Sequence, residues 1–220
     1  MSHHPTITLR NLLPAVFADE RQCHADSDIW LRDTVEFMQS THYLIKAASG
    51  KGKSSLCAYL YGDRTDYTGN ITVNGIDVSN LSTDRLVDLR RKHIAYLPQD
   101  LGLFPTLTAL ENIRLKNNLT SHKTDDEIRG MLDTVGMAGL VDRPVAKLSL
   151  GQQQRVAIVR AMCQPFDILL LDEPVSHLDS NANLAVSRLI EKEASANNAT
   201  LIVTSVGNDL ALSRPVIMQL

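Results

Sequence analysis

Two rhythms of apolar and polar positions alternate along this chain. Short apolar runs read as strands, and apolar residues recurring at helical spacing read as amphipathic helices; their alternation predicts an α/β core around a largely parallel sheet. Residues 7–12 read as a first strand, and 41–47 as the strand that feeds a turn rich in glycine and serine. Residues 53–60 continue from that turn as a helix. The run Thr68-Gly69-Asn70, a strand over 71–73, the turn Asn74-Gly75 and a strand over 76–78 describe a hairpin. These early strands predict an antiparallel sheet beside the core.

The pattern changes between Gln99 and Leu148. Helices are predicted over 107–115 and 125–135, the second opened by Thr124-Asp125-Asp126-Glu127, whose acids suit a helix start. This stretch reads as an all-helical insertion. A helix over 152–162, a buried strand over 167–171, a helix over 182–194 and a strand over 200–204 complete the core.

Residues that carry chemistry sit at the joints of this pattern. The turn Ser49-Gly50-Lys51-Gly52-Lys53-Ser54-Ser55 joins strand to helix, and Gln99 follows Tyr96-Leu97-Pro98 where the insertion begins. Leu148-Ser149-Leu150-Gly151-Gln152 opens a helix. The strand Ile168-Leu169-Leu170-Leu171 runs into Asp172-Glu173-Pro174, and Ser176-His177-Leu178-Asp179 follows. In this order and spacing they resemble the ATP-binding subunit of ABC transporters over about residues 7–220. The small ATPases of lipoprotein-release, macrolide-efflux and cell-division type complexes are similar in length and in their short insertion. The resemblance implies a P-loop NTPase core of ABC type with an antiparallel β-subdomain and an inserted all-helical subdomain. One domain would span 1–220: 1–98 and 164–220 as RecA-like core plus antiparallel β-subdomain, and 99–163 as helical subdomain with the signature segment.

Phosphates need many donors at close range, and backbone N–H groups at a helix start supply them. Gly50 and Gly52 lack a Cβ and permit the tight wrap. Lys53 is expected to reach the β- and γ-phosphates and Ser54 to ligate Mg2+, with Ser49, Lys51 and Ser55 completing the cradle. The pattern has glycine where Ala47 stands, and a left-handed backbone there would cost about 1 kcal/mol. In P-loop ATPases an acid at the end of a buried strand holds the magnesium, and Asp172 fits. By resemblance, Glu173 polarises the attacking water as general base, and Gln99 touches metal and water.

Ser149 and Gln152 read first as a capping box. A capped helix N-terminus with free N–H groups near Gly151 is also an anion receptor. By resemblance it serves the ATP held by an opposite subunit, with Gln153, Gln154 and Arg155 finishing the contact surface; Arg155 reads equally as a solvated helix residue. The Ser176–Asp179 segment would cross that dimer interface. Leu150 replaces a glycine of the family's signature, so its side chain must point away from the phosphate.

Other positions depart from the family as well. After the strand over 200–204, relatives place a histidine against the γ-phosphate, and this chain has Ser205. Serine is shorter and carries no positive charge, so hydrolysis is expected to be slow or to need a partner that completes the site. Phe17 reads as the ring on which adenine stacks or, equally, as a hairpin core residue. Trp30 reads as core. The segment Val216-Ile217-Met218-Gln219-Leu220 lacks the closing hairpin that many relatives add.

Composition narrows the partners. The 220 residues are 44% apolar and 21% charged, ordinary for a globular domain. A formal charge of −3 offers no basic face, so no nucleic-acid partner is expected. No run is apolar for long enough to span a bilayer, and Met1-Ser2-His3-His4-Pro5 has no signal-peptide features. The expected place is cytoplasmic, peripheral on the inner face of the cell membrane through a partner. Cys23, Cys57 and Cys163 read as reduced thiols, and His3 and His4 as a terminus or cloning remnant rather than a metal site.

The resemblance implies ATP and Mg2+, a homodimer or heterodimer of ATPase subunits, and a separate membrane-spanning permease subunit. A groove around residues 101–110 would receive that subunit, with Phe104 and Pro105 either lining it or packed in a loop. Two other functions compete with transport. One is a mechanical or regulatory ABC ATPase acting on a membrane partner without moving solute. The other is a weakly hydrolysing ATP-dependent dimerisation switch, favoured by Ser205, Leu150 and Ala47. No long heptad segment separates the motifs, which argues against chromosome-type relatives.

Overall fold

Two sheets divide the strands between them, and their sequences differ because one is covered on both faces. The computed structural model describes residues 5–19, 21–24 and 26–220. In chain order its strands are Pro5–Pro14 (β1), Val35–Met38 (β2), His42–Lys46 (β3), Tyr67–Val73 (β4) and Ile76–Asp77 (β5). Ile94–Leu97 (β6), Ile168–Asp172 (β7), Thr200–Ser205 (β8) and Val216–Gln219 (β9) follow. The antiparallel sheet has the order β2-β1-β4-β5, and the parallel sheet the order β6-β7-β8-β3-β9. In β2, buried and more exposed positions alternate, as on a sheet with one wet face. β7 and β8 are buried at every residue and read as continuous apolar runs.

Alternation inside those runs builds two cores. Leu44, Leu169, Leu171, Leu201 and Val203 turn to one face of the parallel sheet, and Tyr43, Ile45, Ile168, Leu170 and Ile202 to the other. The helices are Lys53–Tyr61 (α1), Thr83–Lys92 (α2), Ala109–Asn117 (α3), Asp125–Thr134 (α4), Leu150–Ala161 (α5) and Ser180–Ala196 (α6). The first face packs against α3, α4, α5 and α6 through residues such as Ile113, Ile128, Val156 and Ile190. The second packs against α1 and the antiparallel sheet through Leu56, Tyr59, Ile7 and Ile71. The helical stretch is therefore continuous with one sheet face.

The expected architecture stands, with added elements. β2, α2, β6 and β9 were not anticipated. β2 and β6 are four residues each, and α2 buries only Leu89. The segment from Val216 forms an edge strand parallel to β3. His3 and His4 lie outside the described residues, as does the side chain of Cys23. Cys57 and Cys163 are buried free thiols. Burial, followed by the charge of Asp172, raises the Cys57 thiol, and burial pushes Cys163 up to about 12.

Register decides where chemistry can happen. β3 pairs Lys46 with Ser205, β6 pairs Leu97 with Leu171, and β7 pairs Asp172 with Thr204. The carboxyl ends of these strands therefore share one edge, the place where open α/β sheets bind ligands. Among the described residues, no helix is long and apolar enough to cross a membrane.

Candidate functional site at the carboxyl edge of the parallel sheet

β3 ends at Lys46 and α1 begins at Lys53; the turn between is left-handed at Gly50 (φ 80°) and Gly52 (φ 91°). That backbone strains any residue with a side chain at Gly52, and a Cβ there would also stand a tight 3.1 Å from the rings of both Phe17 and Trp30. Trp30 Nε1 also donates to Lys51 O at 3.2 Å, holding the turn from beneath. Ala47 is not among the residues with positive φ, so the cost expected there does not arise. Ser49, Gly50 and Ser54 are exposed, and Lys51, Gly52 and Ser55 half-buried. Ser55 Oγ accepts from Arg64.

Lys53 is buried and folds over the turn. Its Nζ donates to Ala47 O at 3.2 Å and Ala48 O at 2.9 Å, and lies 3.7 Å from Glu173 Oε1. An ammonium carries three donors and no acceptor, so a phosphate arriving at this turn would compete with those carbonyls for it.

Asp172 ends β7 and is 2% exposed. Its Oδ1 accepts from Thr204 Oγ at 2.6 Å, whereas its buried Oδ2 has no partner among the described residues. A buried carboxylate oxygen without a partner is costly and calls for an explanation. Asp172 lines one cavity of about 520 Å³ with Ser54 and Gln99, whose Oγ and Oε1 are 3.5 Å apart. Carboxylate, hydroxyl and amide oxygen form the all-oxygen donor set that a hard divalent cation takes, so these residues fit Mg2+.

Glu173 has a left-handed backbone (φ 51°), uncommon for a residue with a side chain. Its N–H donates to Thr204 Oγ at 3.1 Å, and its carbonyl accepts from Gln154 Nε2 at 3.1 Å. The peptide is thus clamped on both sides.

Two residues whose roles the sequence left open are engaged inside the chain. Ser205 is 2% exposed, and its hydroxyl is engaged with Asp209 Oδ1 at 2.7 Å and Asn208 O at 3.2 Å while accepting from the Gly207 N–H. No hydroxyl proton is left for a phosphate. Phe17 is 9% exposed, with its ring 4.0 Å from that of His24 and an edge against Gly52. It packs in the core beneath the turn, and a stacked base needs an exposed face.

At the start of α5, Ser149 and Gln152 form the reciprocal capping box, at 3.3 Å and 2.9 Å. A Cβ on Gly151 would lie 2.7 Å from His177 O, so the glycine is required by packing inside the chain. Leu150 is 58% exposed. Gln153 donates to Val145 O and Leu148 O, and Arg155 to Gly151 O and Val135 O. Gln154 is buried and bonds Glu173 O, Ser176 Oγ and His177 N. All three side chains bond within their own chain, and of the three only Gln154 is buried away from any outward contact.

The structure therefore brings Lys53, Ser54, Gln99, Asp172 and Glu173 together. Ser149, Gly151 and Gln152 share no hydrogen bond with that group. Sequence reasoning missed Thr204 as an orienter, Trp30 as a prop of the turn and the inward bonds of Gln154. A polar residue ending the apolar run 201–203 was the available signal for Thr204.

A family model described as "ABC transporter" matches residues 33–176. The macrolide export ATP-binding/permease protein MacB of Chromobacterium violaceum is 36% identical over 163 residues, 73% of this chain. The match spans only 25% of MacB's own length. The ABC transporter ATP-binding protein YbbA of Escherichia coli K12 is 34% identical over 75% of this chain and 73% of its own. Among solved structures, the dimeric bacterial ABC transporter cassette MJ0796 superposes with a TM-score of 0.73 at 24% identity, covering 97% of this chain and 94% of that one. A structure of the same cassette bound to ADP and Pi superposes with a TM-score of 0.69 at 24% identity, over 92% and 88% of the two chains. At that identity the likeness speaks for the fold.

Proposed function

The chain belongs to the ABC transporter family, and from that premise we propose that it binds ATP at the 49–55 turn and hydrolyses it to drive a separate membrane-spanning partner. Asp172, which lines one cavity with Ser54 and Gln99 and has a carboxylate oxygen without a partner among the described residues, carries this reading. Those three residues would hold Mg2+, which when bound neutralises phosphate charge and acts as a Lewis acid. The N–H groups of 49–55 receive the phosphates, and Lys53 leaves Ala47 O and Ala48 O to meet them. Glu173, 3.7 Å from Lys53, is the general base that orients the attacking water.

In this reading one cassette spans 1–220, with 99–163 as its helical subdomain. Two copies, identical or not, close head to tail, and the capped start of α5 meets the nucleotide of the opposite subunit. The YbbA name speaks of ATP binding, and the MacB name of a permease in the same protein. Here the permease is a separate subunit, and the chain is placed on the cytoplasmic face of a membrane through it. The cavity lined by Phe104, Leu115 and Leu119, about 450 Å³, is the docking groove.

The engaged hydroxyl of Ser205 favours a second reading, a slowly hydrolysing ATP-driven switch. Calorimetry with Mg-ATP tests the common premise: Lys53→Ala abolishes binding. Glu173→Gln retains binding and lowers turnover about 100- to 10,000-fold, the range for losing a general base. Unchanged affinity in Lys53→Ala would overturn both readings. Slow wild-type turnover that rises in Ser205→His selects the switch.

A further inference from the structure

Glu173 is held in a conformation it would not choose. A left-handed backbone at a residue with a Cβ persists only where its surroundings over-determine it. Here two side chains do so. Thr204 of β8 takes the N–H, and Gln154 of α5 takes the carbonyl.

Gln154 is 2% exposed and uses both ends of its amide. Its Nε2 donates to Glu173 O and Ser176 Oγ, each at 3.1 Å, and its Oε1 accepts the His177 N–H at 3.1 Å. One side chain therefore grips the segment from Glu173 to His177 at three points. One turn earlier on α5, Gly151 sits so close to His177 O that a Cβ would lie 2.7 Å away. The start of α5 and the backbone after Glu173 thus touch directly and through Gln154. Any shift of α5 must carry that backbone with it, because close-packed contacts do not deform continuously.

We infer that Gln154 is a positioning residue for Glu173, transmitting the placement of the α5 N-terminus to the carboxylate near Lys53. The inference rests on the ATPase reading above. It adds that the signature helix of one chain sets the geometry of the hydrolytic glutamate in the same chain, through one buried amide. Gln154 touches neither nucleotide nor water in this account.

The test is a steady-state and calorimetric comparison of wild type, Gln154→Met and Gln154→Glu with Mg-ATP. Gln154→Met keeps length without hydrogen bonds. Gln154→Glu keeps the acceptor for His177 N–H and loses the donor to Glu173 O. Both are expected to lose on the order of 100-fold in kcat, the scale of a misplaced reacting group, with KM and Mg-ATP affinity unchanged. A merely structural role would lower Tm and leave kcat of the folded protein intact, and that result overturns the inference. Should Gln154→Met fail to fold, Gln154→Glu decides by the same criterion. A wild type that neither binds nor hydrolyses ATP fells the functional reading itself. A normal wild type with unimpaired variants fells only the role of Gln154.

Discussion

The Asp209 carboxylate shows how neighbours outweigh burial at one residue. Burial alone raises it, but hydrogen bonds from Lys46 and Ser205 and the Lys46 charge hold it below the usual carboxylate range. A lowered folded value gives stability that is complete above the unfolded aspartate range, about pH 4, and is lost as pH falls through the folded value. Ser205→Ala removes one of the two side-chain donors. Its urea midpoint is therefore expected below that of wild type near neutrality, with the gap narrowing as the solution is acidified below the aspartate range and the pH-independent loss at Asn208 O and Gly207 N remaining. A gap that stays constant with pH contradicts this account. Ser205 was legible in the sequence as a departure from its family. The engagement of its hydroxyl was not, because it depends on Asp209 across a turn whose path no local pattern fixes. Phe17 was open for the same kind of reason: a ring near a glycine turn either faces solvent or props the turn, and only His24 and Gly52 decide.

Among elements, the helix starts carry the clearest signals. Thr108 with Glu111, Thr124 with Glu127 and Ser149 with Gln152 all form reciprocal capping boxes. Losing such a cap costs about 1 kcal/mol wherever it occurs. Ser149→Ala and Thr124→Ala are thus expected to lower unfolding free energy by similar amounts. Only Ser149→Ala is expected to weaken ATP-driven dimerisation, measured by light scattering in a Glu173→Gln background. Equal dimerisation in the two variants argues that the α5 start meets no phosphate. Caps are legible because they are local, three residues apart. α2 was not, since its sequence is largely charged and buries a single residue, Leu89. β2 has only four residues in which to show an alternation.

For the whole molecule, the order of motifs was readable directly and their convergence only through the family resemblance, because convergence depends on strand order. The chain places β6, β7, β8 and β3 side by side, so that Gln99, Asp172, Ser205 and the 49–55 turn share one edge although distant in sequence. Among the exposed apolar side chains, Leu150 stands at the start of α5, and Phe104 with Leu115 and Leu119 line the groove elsewhere. If the first faces a second cassette and the second a membrane subunit, a charge at each should break one association and spare the other. Leu150→Asp is the sharper case. An acid in the first turn of α5 favours the helix dipole, so the fold is expected to hold or gain slightly. In the proposed head-to-tail dimer the same charge would stand where an opposite subunit's phosphates arrive, and like charges there would oppose closure. ATP-driven dimerisation is therefore expected to disappear in Leu150→Asp while the single chain keeps its Mg-ATP affinity and its Tm. Phe104→Asp is expected to dimerise normally and to lose association with the membrane subunit. Dimerisation surviving in Leu150→Asp would mean that the start of α5 lies outside the closed interface, and the head-to-tail arrangement would have to be abandoned.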